Sequence, residues 1–318
     1  MTHWMLFALL APPATAGTSS YTPTCSTTRA HPDIGIFCTF GVAAFDEAGM
    51  SYSTLNAAFN NASSIDNVYV CPGTYPVQDV TVSRTDLTIA AASGRAADTI
   101  IDGGGNGIMT FDDADIVLFN LTFQNASRNN GGAIRSGVTD LRVNCSEFED
   151  NTSSSSGGAI YFTEGLLTIE SSEFYSNTAD VNGGAISVGG DQPSQVQIID
   201  SIFEENSALS QGGTLWMGEP GRGVVGAGEK LIIAASFFDN DDSPTANAQQ
   251  GGVIYMYTES WVEVDIIDTQ FEAAAASDEG GIFYFDGDGA SEFDIWFENS
   301  LLSESTATNG AALVIAES

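Results

Sequence analysis

Few side chains in this chain are placed to do chemistry. Asp112, Asp113 and Asp115 make a tight acidic group, and two positioned carboxylates suffice for glycoside hydrolysis, one as acid and the other as base or nucleophile. Elimination on a uronate needs instead an Arg or Lys base and charge neutralisation, for which eight Lys plus Arg in the whole chain are thin material. A solvated corner of a repeating fold explains the three aspartates equally well. Asp286-Gly287-Asp288-Gly289 has the composition of a calcium loop. It lacks the EF-hand spacing and terminal Glu and does not recur as a nonapeptide, so a plain turn is the simpler reading. Without a Cys-x-x-Cys or a His cluster, zinc is not expected. The sequence implies no catalytic residue, no metal site and no cofactor, only a weak, non-specific dependence on calcium or salt.

Any such group would have to be positioned by a repeat. Phe-x-x-Asn occupies residues 148–151, 174–177, 203–206 and 237–240, with degenerate copies at Phe123, Phe271 and Phe297. A glycine pair follows each, beginning at Gly131, Gly157, Gly183, Gly212, Gly251 and Gly280, with Gly310-Ala311 last. Steps of 26, 26, 29, 39, 29 and 30 residues signal a solenoid in which each repeat contacts its neighbours.

Aligning the copies on Phe places Val143, Ile169, Ile198, Ile232 and Ile266 five residues earlier, and Cys145, Ser171, Asp200, Ala234 and Asp268 three earlier. Both the Phe and the β-branched column look buried, which one unbroken period-2 strand cannot achieve, so a bend belongs at the small and polar positions. After each glycine pair, Ile134, Ile160, Ile186, Leu215, Ile254 and Phe283 begin a third strand facing inward. The glycines supply positive φ or close approach at the corner, and Asn151, Asn177, Asn206 and Asn240 are expected in the left-handed region, stacked amide on amide. Three strands and three corners per turn make an all-β parallel β-helix. Residues 51–62, with Leu55, Ala58 and Phe59 on one face and Ser51 or Ser53 as N-cap, predict a helix covering its first end.

Met1 to Ala16 carries an apolar run and Ala14-Thr15-Ala16, a secretory signal with an Ala-x-Ala cleavage site. Residues 17–50 read as an irregular segment and 51–318 as the β-helix, with repeats from about 116. No later stretch reaches the length of a membrane span. A formal charge of −34 makes nucleic acid and anionic membranes poor partners and cations good ones. Cys25 and Cys38 are expected to close a short loop, while Cys71 and Cys145 stand too far apart along a solenoid to bond each other and read as buried thiols. Five sequons, at Asn61, Asn120, Asn125, Asn144 and Asn151, partly coincide with corner positions.

Gly-Gly-Ala-Ile with Phe-x-x-Asn resembles the paired signature of the chlamydial polymorphic membrane protein repeats. Cys71-Pro72-Gly73-Thr74-Tyr75 with Ile101-Asp102-Gly103-Gly104 is similar to the first coils of the wider pectin-lyase-like group. The resemblance covers about residues 66–318 and implies a right-handed β-helix exported to the cell surface or outer membrane, often an adhesin. The galacturonase-type His-Gly and Arg-Ile-Lys signatures are absent. The favoured function is a non-catalytic adhesion or binding module for a glycan or cell-surface protein. The alternatives are a carbohydrate-active lyase or hydrolase and a structural spacer.

Third after each glycine pair stand Arg135, Tyr161, Ser187, Trp216, Tyr255, Tyr284 and Val314, outward by strand alternation. Trp216, Tyr255 and Tyr284 are thus expected as an exposed aromatic ladder suited to sugar rings or protein hot spots, with Glu219, Arg222, Asp241 and Asp242 on the bordering insertions. Outward aromatics on neighbouring strands also stabilise a sheet by stacking. After each Phe stand Glu149, Tyr175, Glu204, Phe238, Glu272 and Glu298, which stacks Glu272 on Glu298 at about 4.8 Å. The strand-like run 312–316 near Ser318 leaves an open edge, expected to mark truncation, a further domain or end-to-end association.

Overall fold

The computed structural model describes residues 23, 25, 30–61, 67–82, 86–112, 115–137, 140–190, 194–218, 229–240, 248–258, 261–287 and 291–317. They form a parallel β-solenoid. One coil shows the plan: Asp140–Asn144 lies in a long wall, Glu147–Glu149 in a phenylalanine wall, Thr152–Ser156 in a short ladder, and Ile160–Phe162 in a glycine wall. The phenylalanine and glycine walls each hold nine strands, and the long wall eleven. The short fourth ladder is an addition to the three strands that the sequence predicts; it fills the stretch between Asn and the glycine pair.

The predicted bend is present. Cys145, Ser171, Asp200, Ala235 and Asp268 take φ between 47° and 49°, which turns Ile169 and Phe174 both inward and leaves both fully buried. A second left-handed residue lies at Asp150, Ser176 and Glu205, so the left-handed position precedes the asparagines rather than falling on them. The asparagines do the other expected thing. Asn151 donates through Nδ2 to Phe123 O and Asn177 Oδ1, both 3.0 Å away, and Asn177 repeats this with Phe148 O and Asn206 Oδ1 at 3.0 Å. Backbone N–H groups of Asn151, Asn177 and Asn206 donate to the next amide oxygen in line. A parallel ladder of hydroxyls runs one corner earlier, where the N–H of Ser146 donates to Ser172 Oγ, that of Ser172 to Ser201 Oγ, and that of Ser201 to Ser236 Oγ.

Rings of Phe123, Phe148, Phe174, Phe203, Phe238 and Phe271 form one continuous stack with centroids 4.6 to 4.9 Å apart. Phe238, not Phe237, occupies the stack. One residue is missing between this Phe and Asn240, so the Phe-x-x-Asn match at 237 is out of register, and Ile233 and Ala235 replace Ile232 and Ala234 in their columns. Phe297 likewise pairs with Ile266 on the long wall and does not continue the stack.

The first end is closed by more than a helix. Leu55–Asn61 is helical, with Leu55, Ala58 and Phe59 buried, but Ser51 lies in a short strand and Thr54 Oγ1 caps the helix by accepting from Ala57 N–H at 3.2 Å. Part of the segment expected to be irregular is also ordered. Ala44–Asp46 pairs antiparallel with Asn67–Val70, ending the parallel edge of the long wall. No helix among the described residues is long and apolar enough to cross a membrane.

The expected pairing of Cys25 with Cys38 is wrong, and Cys71 and Cys145 are not thiols. The bonds are Cys25–Cys145 and Cys38–Cys71. Each joins the N-terminal segment to the solenoid, because Cys25 and Cys38 meet different corners of the long wall rather than each other.

Asn177→Ala should lower stability by roughly 2–4 kcal/mol, since it orphans the buried N–H of Asn151 and removes the side-chain donor shared by Asn206 Oδ1 and Phe148 O. Urea unfolding measures this, with Ser176→Ala as the near-neutral neighbour.

Candidate functional site

The aromatic column is assembled in register as expected, Ser187 beside Trp216, Trp216 beside Tyr255, Tyr255 beside Tyr284 and Tyr284 beside Val314. It is not exposed. Trp216, Tyr255 and Tyr284 are 4%, 3% and 6% accessible and pack into one cluster with Tyr257, Val314 and Ala316. The rings lie down along the wall, and their polar tips are satisfied within it. Trp216 Nε1 donates to Gln211 Oε1 at 3.2 Å and Tyr255 Oη to Asp286 Oδ2 at 2.9 Å. The indole fits because Gly189 and Gly218 have no side chain; a Cβ at Gly189 would sit 2.8 Å from the ring. Burial and then the nearby Asp286 carboxylate push the Tyr255 hydroxyl pKa up; burial and then Glu279 push that of Tyr284 up to about 12. These rings are architecture, not an open platform.

Arg222, Asp241, Asp242 and Glu219 lie outside the described residues, as do Asp113, Asp288 and Gly289. Asp286 is in the strand Phe283–Gly287, engaged with Tyr255. Asp112 ends a glycine-wall strand and Asp115 begins a long-wall strand, both exposed. Among the described residues no three metal-ligating side chains converge. Of the sequons, Asn151 and Asn120 are buried and Asn125 is exposed.

A different surface gathers functional groups. The outward face of the phenylalanine wall carries two columns, Thr122, Glu147, Glu173, Ile202, Phe237 and Gln270 before the Phe stack, and Gln124, Glu149, Tyr175, Glu204, Asp239 and Glu272 after it. Glu272 is followed in its column by Ser303, since Phe271 pairs with Leu302; the expected stacking of Glu272 on Glu298 does not occur, and Glu298 belongs to the long wall. Asp239 takes the place given to Phe238, so the carboxylates are more continuous than the sequence suggested. Tyr175 sits between Glu149 and Glu204 and is 41% exposed. Burial first and like charge second raise the pKa values of Glu149, Glu173 and Glu204, the neighbours being Glu147 and Asp150 for Glu149, Glu147 for Glu173, and Asp239 and Glu205 for Glu204.

The Chlamydia polymorphic membrane protein repeat model matches residues 146–163 and 171–189, the coils that carry Glu147, Glu149, Glu173 and Tyr175. Comparison with curated proteins gave no match. Among solved structures, ORF18 of Geobacillus virus E2 aligns over 90% of this chain at 15% identity and a TM-score of 0.40; the chain spans 60% of that protein's length.

Trp216→Ala should destabilise the protein by roughly 3 kcal/mol through the cavity it leaves, read as a lower denaturation midpoint. The acidic wall acts in the opposite sense. Because the folded pKa values of the three glutamates exceed the unfolded ones, the folded state binds more protons, and stability should rise as pH falls from neutrality towards 4.5. Added salt should raise Tm at pH 7 by screening; Glu173→Gln should raise Tm at pH 7 and flatten the pH dependence.

With its coils wound into a continuous phenylalanine stack and asparagine ladder, the chain is a parallel β-solenoid in which residues 146–163 and 171–189 match the Chlamydia polymorphic membrane protein repeat.

Proposed function

We propose that the protein is a non-catalytic, exported adhesion module that uses the acidic outer face of its phenylalanine wall to hold a partner at the cell surface. The observation that carries this reading is Tyr175, an exposed ring set between carboxylates one strand away on either side. Aromatic rings supply much contact area at low entropic cost and recur as binding hot spots, while the surrounding glutamates select a cationic partner, such as a lysine- and arginine-rich protein surface. Like charges held at fixed spacing are relieved when a cation enters. The repeat type and the signal-like start of the sequence support export; the ordered inward columns support a stiff scaffold on which outer residues are free to differ from coil to coil.

The test is adhesion of beads coated with the full chain to host cells and to a panel of basic proteins and glycans. Tyr175→Ala should weaken binding by roughly tenfold or more, Glu149→Gln with Glu204→Gln should weaken it and reduce its salt dependence, and neither should lower Tm. Binding unaltered by all three substitutions overturns the site. Release of reducing ends or unsaturated uronate from acidic polysaccharides would overturn the non-catalytic reading.

A further inference from the structure

Three anchor points hold the N-terminal segment against the solenoid, and they fall in order along one edge. Cys38 is bonded to Cys71, at the corner after the first parallel strand of the long wall. The His31 N–H donates to Ala92 O at 2.7 Å, at the corner after the second. Cys25 is bonded to Cys145, at the corner after the fourth, and its sulfur lies 3.4 Å from Ser171 O at the fifth. The described anchor residues, Cys38, His31 and Cys25, therefore meet successively later coils, against the direction of winding.

The corner at Cys145 does not need a cysteine. Its column is otherwise Asn120, Ser171, Asp200, Ala235, Asp268 and Asn299, all at positive φ, a conformation in which Asn and Asp are the more tolerant types. Nor does the corner need the disulfide, because the Cys145 N–H donates to Glu170 O at 3.0 Å and the Cys71 N–H to Ala43 O at 2.9 Å. What the anchored segment does is cover a second core. Phe45, Cys71 and Ala92 are buried apart from the main interior, under Ile34, Phe37 and Val42, with Phe37 stacked on Phe45 at 4.9 Å and the His31 ring 4.2 Å from Tyr69.

We propose that the N-terminal segment is a redox-controlled strap, closed over this satellite core by oxidation and opened by reduction while the solenoid beneath stays wound. Each bond forms by thiol–disulfide exchange. One thiolate of the pair attacks an incoming small-molecule or protein disulfide, the second thiolate displaces the mixed disulfide, and the two electrons and two protons leave with the incoming disulfide as two thiols. Opening is the reverse, driven by a dithiol. The strap completes only in an oxidising compartment, and its closed loops limit fraying of the first coils by restricting the open chain. This inference is independent of which wall binds a partner.

The experiment is hydrogen exchange and non-reducing peptide mapping of the folded full-length protein, before and after tris(2-carboxyethyl)phosphine. The map should give Cys25–Cys145 and Cys38–Cys71. Reduction should speed exchange of amides in residues 31–46 by roughly tenfold or more and raise the fluorescence of an apolar-surface dye, with amides beyond residue 160 unchanged. Cys25→Ser should remove the Cys25–Cys145 peptide from the map while Phe45 stays protected. A Cys25–Cys38 pairing, unchanged exchange at residues 31–46 on reduction, loss of Phe45 protection in Cys25→Ser, or loss of protection throughout the solenoid would each overturn the proposal.

Discussion

The contact on which the rest of this structure depends is backbone against backbone at the second glycine of each pair. A Cβ on Gly158 would lie 2.0 Å from Gly184 O, one on Gly184 2.1 Å from Gly213 O, and one on Gly252 2.1 Å from Gly281 O. No side chain fits there, and the preceding glycine takes φ near +60° to bring the chain into the approach. Coils that rest on one another this closely must follow nearly the same path. Equivalent residues then fall about one strand spacing apart, ~4.8 Å, the separation at which parallel backbone bonds form, phenylalanine rings stack and one asparagine amide reaches the next. The columns are thus one geometric condition expressed in several chemistries.

Much of this was legible because each inward column needs a particular residue type. Phe, Asn, Gly-Gly and the β-branched positions announced the repeat, the bend and the parity change. The register of the coil at Phe238 was not, because Phe237 and Asn240 happen to stand three apart. The hydroxyl column would have settled it. Ser146, Ser172, Ser201, Ser236 and Thr269 each precede the stacked Phe by two residues, and Ser236 points to Phe238. The left-handed residue was misassigned because Asn is the type that tolerates positive φ, whereas here Asp150, Ser176 and Glu205 take the strain and the amide is reserved for the ladder. Strand alternation correctly placed Trp216 and Tyr255 on the outer side of the backbone. It says nothing about whether a large ring stands up or lies flat, which depends on Gly189, Gly218 and hydrogen-bond partners from other coils. Disulfide partners were hidden for a similar reason: periodicity describes the solenoid, not the course of a segment laid along it.

Among the described residues, the half-buried Arg128 on the short ladder is held mainly by carbonyls, with the Asp79 carboxylate 3.8 Å away. Arg128 donates to Gly131 O and Met109 O and to Thr110 Oγ1, and although burial lowers its pKa, a guanidinium remains cationic. Among the described residues the carboxylates of the phenylalanine wall stand on its outer face and the rings on its inner face, so charge and packing there are controlled by different sides of the same strands. An outer residue can change without moving the wall. That separation explains how one wall can place Glu149, Tyr175 and Glu204 in a line while the Phe stack directly beneath continues unbroken.

The separation also sets what the acidic wall can do. Two carboxylates one coil apart repel by about 1 kcal/mol in water at ~4.8 Å, and more where water is partly excluded. A buried ladder hydrogen bond contributes about the same amount in the opposite sense, and each coil has several, together with a ring stack worth roughly 0.5–1.5 kcal/mol beyond its area. The interior therefore outweighs the repulsion, and the glutamates are held at a spacing that they would not choose. Flexible acidic chains relax by moving apart; this wall cannot. On the function proposed above, a cationic partner would recover that unrelieved repulsion without first ordering the surface it meets, so the rigidity imposed at the glycine contacts would become part of the affinity at a different wall of the same coils.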